Sequence, residues 1–335
     1  MLSFCLITRD AGPLLRNALQ RLALAMAPDE DITVIDCGSE DDTLPELASF
    51  LEPRPGELIR LDAPGPDRRE AMTLAWGHAR HPYLLCLDAC DLVHPDGIGA
   101  LRAQLLDKQP QVLVAQRNWW LGTPDLLLPS ADTSRIGALG PTPTTEELLT
   151  LTPDPRRLVL HADLATRLTD RAHTEGGMAL WEHTLGAAEH TALCSEPAWA
   201  SPLPDHPAAP MLAAVTDRQN DPAGFLRALN WADDALYLTG PDEAPALLAA
   251  AQPLLERLDP AQPLPAIGPI TRILEALRDE GRAMGLAQLV LELSNLERQR
   301  NRALADAIGR LRADLDLALP GPEYLRQLYD RIRAR

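Results

Sequence analysis

Carboxylates that fall where a hydrophobic run breaks off are the residues of this sequence best suited to chemistry. The clearest set is Asp88-Ala-Cys-Asp91, which follows Tyr83-Leu-Leu-Cys-Leu87 without a gap. A second run, Ile32-Thr-Val-Ile, breaks off into Asp36-Cys-Gly-Ser39. Two carboxylates three positions apart on a turn offer hard oxygen ligands of the kind Mg²⁺ and Mn²⁺ take. An ion held in this way retains water, bridges phosphate oxygens and acts as a Lewis acid. Asp88 and Asp91 are therefore the metal candidates.

Such carboxylates need a scaffold that presents strand ends, and the first hundred residues supply one. Short apolar runs alternate with helical patterns, the signature of a parallel sheet covered by helices. Leu2 to Thr8 predicts one strand, and Gly12-Pro13 opens a helix with Leu14, Leu15, Leu19, Leu22 and Leu24 roughly on one face. Ile32 to Asp36 predicts a second strand, and Ser39 with Asp42 three residues on suggests an N-cap for the next helix. Leu58 to Leu61 and Tyr83 to Leu87 predict two more strands, with a helix over Ala71 to Ala79 between them. In open α/β sheets ligands collect at the carboxyl ends of strands, which is where the Asp36 and Asp88 turns fall.

Farther on, Gln111 to Arg117 and Arg157 to Ala162 predict strands, separated by Trp119-Trp120 and a Pro, Ser and Thr-rich stretch to about Pro143 that reads as a long surface loop. Adjacent aromatics on a strand face opposite sides, so at least one tryptophan is expected in the core, and the other is open to stacking on a sugar. Pro197 to Pro210 holds five prolines and reads as a linker. Everything beyond it has helical period. Leu304, Ile308, Leu311 and Leu315 repeat at coiled-coil spacing. The expected division is an α/β domain over 1–205 and an all-α domain over 206–335, with a short coiled coil at 294–318.

Composition narrows the partners. The chain has 335 residues, 46% of them hydrophobic, enough for a substantial core and for two folded units. Its formal charge of −17 repels phosphate backbones and anionic lipid, so nucleic acid is not an expected partner. Five cysteines without a C-x-x-C pair suggest neither a disulfide framework nor a zinc knuckle, and reduced thiols fit the cytoplasm. The first residues lack the features of a signal peptide. No run approaches the ~20 apolar residues a membrane span needs, which leaves only peripheral membrane association.

Three segments together resemble the family 2 glycosyltransferases. Phe4-Cys-Leu-Ile-Thr8-Arg9-Asp10 is similar to that family's opening strand and turn, Val34-Ile-Asp36-Cys37-Gly38-Ser39-Glu-Asp41-Asp42-Thr43 to its Val-Asp-Asp-Gly-Ser-Thr-Asp-Asp-Thr element, and Leu87-Asp88-Ala-Cys90-Asp91 to its Leu-Asp-Ala-Asp-Asp metal turn. Order and spacing agree for all three. The resemblance implies the GT-A fold, a Rossmann-like, mostly parallel sheet with flanking helices. It also implies transfer of a sugar from a nucleotide-diphosphate donor to a saccharide-type hydroxyl acceptor with inversion, assisted by Mn²⁺ or Mg²⁺. Within it, Asp36 corresponds to the carboxylate that bonds the nucleobase or ribose, Thr8 to a position lining the same pocket, and Asp88 to both diphosphate and metal binding. Members of the family often build surface glycans, and the helical tail is expected to mediate a homodimer or contacts with other assembly proteins.

Several residues depart from the pattern. Cys37 and Cys90 stand where the family has aspartate, and a thiol is a poor ligand for Mg²⁺, which weakens the implied metal site. Met72 and Thr73 fall where an Arg-Asn pair often precedes the metal strand, and Arg68 and Arg69, one turn earlier, could supply that positive charge to the diphosphate. The acceptor's proton needs a base. In place of the family's Glu-Asp pair this chain has Glu175-Gly-Gly-Met-Ala-Leu-Trp-Glu182, where Glu182 is the preferred base and Glu175 the second choice. The departures leave open a catalytically degenerate domain kept as a binding or scaffold module. A nucleotidyltransferase fits less well, since Thr8 to Pro13 has one glycine and no lysine.

Overall fold

In the computed structural model the described residues are 1–61, 68–121, 123–130, 132–140, 142–151, 154–174 and 177–202, with scattered helical positions between 272 and 306. The elements run β1 (Leu2–Thr8), α1 (Gly12–Ala25), β2 (Asp31–Asp36), α2 (Thr43–Leu51), β3 (Gly56–Arg60), α3 (Arg68–Gly77), β4 (Tyr83–Asp88), β5 (Leu92–Val93), α4 (Pro95–Lys108), β6 (Val112–Leu121), β7 (Thr123–Pro129), α5 (Thr133–Ala138) and α6 (Thr145–Leu148). A 3₁₀ turn at Pro155–Arg157 then leads into β8 (Leu158–His161), α7 (Ala162–Thr174), α8 (Gly177–Ala187) and β9 (Thr191–Pro202).

These strands form one sheet in the order β3-β2-β1-β4-β8-β6-β9-β5, with β7 paired to β6. The pairings of β3 with β2, β2 with β1 and β1 with β4 are parallel, whereas β8 is antiparallel to both β4 and β6, and β5 to β9. Every residue of β1 and β2 is buried, as expected for central strands covered on both faces, while β3 alternates exposed and half-buried positions as an edge does. The core joins Leu2, Phe4 and Leu6 of β1 to Leu15, Leu19 and Leu22 of α1 and Ile98, Leu101 and Leu105 of α4. Leu24 departs from the expected helix face and is 76% exposed.

Helix α4 lies so close to β9 that Gly97 has no room for a side chain. A Cβ there would come within 2.0 Å of the Pro197 carbonyl oxygen and 2.8 Å of the Ala198 Cα.

Three expectations are corrected. The stretch read as a loop after Arg117 contains the end of β6, the whole of β7 and α5, because Leu126-Leu-Leu128 supply apolar strand residues among the prolines and threonines. Trp119 and Trp120 are both buried, at 4% and 7% exposure, so neither offers an open stacking face. Of the linker expected over Pro197 to Pro210, residues 197–202 belong instead to β9, where the buried runs Ala192–Cys194 and Ala198–Ser201 continue on either side of Pro197, and 203–210 lie outside the described residues.

By contacts the chain divides into one unit of Met1–Asn118, Thr133–Leu149 and Pro153–Pro202, and a second of Trp119–Asp132, Thr150–Thr152 and Leu203–Arg335. The expected all-α domain at 206–335 and its coiled coil at 294–318 lie outside the described residues apart from the scattered positions. No described helix is long and apolar enough to cross a membrane.

Candidate functional site at the strand ends

Register brings the first predicted carboxylates together. Thr8 of β1 pairs with Asp36 of β2 on one side, and Ile7 pairs with Asp88 of β4 on the other. Asp36 and Asp88 thus end the two strands flanking β1, roughly 10 Å apart across two strand spacings. Thr8 stands between them, and its buried hydroxyl has no hydrogen-bond partner among the described residues.

Asp36 is fully buried and accepts hydrogen bonds from the Ser39 amide at 3.1 Å and the Ser39 hydroxyl, with the Arg60 guanidinium 3.9 Å away. Gly38 permits this tight return with φ of +83°. The Ser39 oxygen also accepts the Asp10 amide at 2.9 Å, while the Asp10 carboxylate accepts the Glu40 amide at 2.8 Å. Asp41 accepts the amides of Gly12 and Thr43. The loop after β1 and the loop after β2 are therefore stitched into one surface. This corrects the expected cap: Ser39 serves Asp36, and Asp42, at the N-cap of α2, makes no side-chain cap bond.

The Asp88 turn contains a cation that the sequence reading did not anticipate. Arg156 donates from Nη1 to Asp88 Oδ2 at 2.7 Å, from Nε to both oxygens of Asp154 at 3.0 and 2.9 Å, and from Nη2 to Asp154 Oδ2 at 2.6 Å. Behind Asp154 lies buried Arg117, which donates to the same Oδ2. Burial alone would raise the Asp154 carboxyl, but Arg117 and Arg156 outweigh it and hold the group well below the usual carboxylate range. Burial brings Arg117 down to about 10 against the pull of Asp154. Arg156 is held well above its ordinary value because Asp154, Asp88 and Asp91 outweigh its burial.

Asp91 faces inward. Its Oδ2 accepts the Asp88 amide at 2.8 Å and its Oδ1 the Ser201 hydroxyl at 2.6 Å. Burial, reinforced by the charge of Asp88, pushes its carboxyl up, with Arg156 opposing.

This donor set does not fit a divalent ion. One Asp88 oxygen holds Arg156, both Asp91 oxygens serve internal donors, and Cys90 stands between them. Among the described residues no three His, Cys, Asp or Glu side chains converge as metal ligands. His94, close in sequence, has a buried Nε2 with no hydrogen-bond partner among the described residues, and burial pulls its pKa down, with Arg21 reinforcing the shift.

The remaining candidates are less fully placed. Arg68 and Arg69 open α3, but their side chains lie outside the described residues, as does Glu175. Glu182 is half-buried on α8, one position beyond Trp181, whose ring lies 5.8 Å from the Arg157 guanidinium. In the sequence Arg156 stands in Asp154-Pro-Arg-Arg157, just ahead of the strand predicted from Arg157, with nothing local to tie it to Asp88.

Comparison with known proteins bears on the fold that carries these residues. Residues 3–133 match the family model described as Glycosyl transferase family 2. No curated protein sequence matches the chain. Among solved structures, TarS 1–349 from S. aureus in complex with UDP-GlcNAc is similar at a TM-score of 0.56 and 13% identity, covering 90% of this chain and 91% of that one. Against a longer TarS chain the match spans 55% of its length. The mannosyltransferase PcManGT from Pyrobaculum calidifontis, in complex with GDP-Man and Mn²⁺, is similar at a TM-score of 0.52 and 17% identity, covering 93% of this chain and 87% of that one. At these identities the likeness shows a shared fold.

Proposed function

As residues 3–133 match the model of glycosyl transferase family 2, we propose that this chain moves a sugar from a nucleotide-diphosphate donor to a saccharide-type hydroxyl acceptor with inversion at the anomeric carbon. The observation that carries this reading is the register that sets Thr8, Asp36 and Asp88 at the carboxyl ends of three neighbouring strands, where α/β sheets bind ligands. The orphaned Thr8 hydroxyl supports it, because a buried polar group without a partner costs stability that a ligand would return. UDP-GlcNAc and GDP-Man in the two similar structures support the class of donor.

In the reaction the acceptor oxygen bonds to the anomeric carbon as the bond from that carbon to the diphosphate oxygen breaks. The electron pair leaves with the diphosphate, and the acceptor proton passes to a carboxylate. Glu182 is the proposed base, with Glu175 as second choice. Asp36, fixed by Ser39, shapes the nucleoside end of the pocket. A divalent ion at Asp88 would compete with Arg156 for the carboxylate. The tail at 206–335 is assigned to self-association or to contacts with other glycan-assembly proteins, and the site of action to the cytoplasm.

Transfer and donor hydrolysis, measured over a panel of UDP- and GDP-sugars, test the reading. We expect turnover with at least one donor and a loss of about a hundredfold or more in Asp88→Asn. Nucleotide binding without turnover for every donor would instead favour the scaffold role that Cys37 and Cys90 suggest.

A further inference from the structure

The antiparallel register of β8 against β4 pairs Tyr83 with His161 and Leu84 with Leu160. Arg156 lies in the 3₁₀ turn Pro155–Arg157 that leads directly into β8, and this turn sets its guanidinium against Asp88 at the end of β4. Asp154 then fixes the guanidinium through Nε and Nη2, and the charge of Asp154 is also met from behind by Arg117. Of the five N–H groups on an arginine side chain, these bonds and the one to Asp88 engage a single hydrogen on each of the three nitrogens. Among the described residues one N–H on each terminal nitrogen is left, and the side chain keeps 22% of its surface exposed at the strand ends. Such a pair of donors suits two oxygens of a phosphate group.

An anion approaching a strand-end carboxylate needs positive charge between the two. At Asp88 that charge is already present, fixed at 2.7 Å, and among the described residues no three His, Cys, Asp or Glu side chains converge on an ion. We propose that Arg156 is the cation this site presents to the diphosphate, so that a nucleoside diphosphate binds without a divalent metal. This inference rests on the donor reading above.

Titration calorimetry on the full chain tests it, using UDP, GDP, CDP, ADP and dTDP, and the monophosphate of whichever binds, each in EDTA and in Mn²⁺. Wild type should bind one diphosphate with dissociation constants that agree within about threefold in the two conditions. Arg156→Gln should weaken that diphosphate by at least about tenfold in EDTA, Arg156→Lys by less, and neither should alter monophosphate binding appreciably. Thermal melting of both variants monitors folding, and the wild-type comparison stands even if a variant fails to fold. Diphosphate binding that requires Mn²⁺, or an equal loss for monophosphate and diphosphate in Arg156→Gln, overturns the role of Arg156 and leaves the donor reading intact. If no diphosphate binds in either condition, the donor reading falls and this proposal falls with it.

Discussion

Ser39 shows how much one side chain can organise at a strand end. Its hydroxyl serves Asp36 and receives the Asp10 amide, so it joins the loop after β1 to the loop after β2 beside the proposed nucleotide pocket. Ser39→Ala should cost roughly 1–3 kcal/mol, since it strips partners from a buried carboxylate and a backbone amide. Urea denaturation would register this as a lower midpoint with unchanged slope. Glu182 makes the contrasting case of a residue argued from chemistry. If it takes the acceptor proton, Glu182→Gln should lower kcat by about 10²–10⁴ and leave donor KM nearly unchanged. An unaltered kcat in steady-state assays would transfer the role away from it. Asp36, Asp88 and Thr8 were legible because strand-end position is written in the local run of apolar residues. Arg156 was not, because its partner lies 68 positions away and only pairing of β8 with β4 brings them together.

Among the elements, α4 and β9 make the tightest demand. Gly97→Ala would drive a methyl group into main-chain atoms of Pro197 and Ala198, which cannot rotate away. The expected destabilisation is about 1–3 kcal/mol, visible in thermal melting, whereas the same change at Gly99, where nothing lies within 4 Å of an added Cβ, should be neutral or slightly stabilising. The parallel half of the sheet was readable because each βα unit is local and its apolar runs stop at a turn. The end of β6, β7 and β9 were not, because proline and threonine content resembles loop composition while pairing across the sheet decides the outcome.

At the scale of the whole α/β unit, stability should fall steeply with acid. Glu30 is buried, and desolvation would raise its carboxyl, but bonds from Arg102 and the Ala27 and Leu2 amides bring it below the ordinary value. Asp154 is lowered as well, by Arg117 and Arg156 against its burial. Groups depressed in the folded state contribute fully above their unfolded values, near 4, and that contribution disappears as pH falls through the folded values. Melting temperatures measured between pH 7 and pH 3 should therefore drop more in wild type than in Glu30→Gln. That variant should already be weaker at pH 7 by roughly 2–3 kcal/mol, because Arg102 loses its carboxylate. Equal slopes for the two proteins would remove Glu30 from the account.

Of the five cysteines, Cys5, Cys37, Cys86 and Cys194 are buried, and Cys90 alone is partly open, on the turn between Asp88 and Asp91. The unaltered chain thus carries its own attachment point for a thiol-directed fluorophore beside the proposed donor cleft. Maleimide labelling followed by peptide mapping should mark Cys90 first, and occupancy of the cleft should slow that labelling, giving an optical readout of ligand entry that requires no engineered residue.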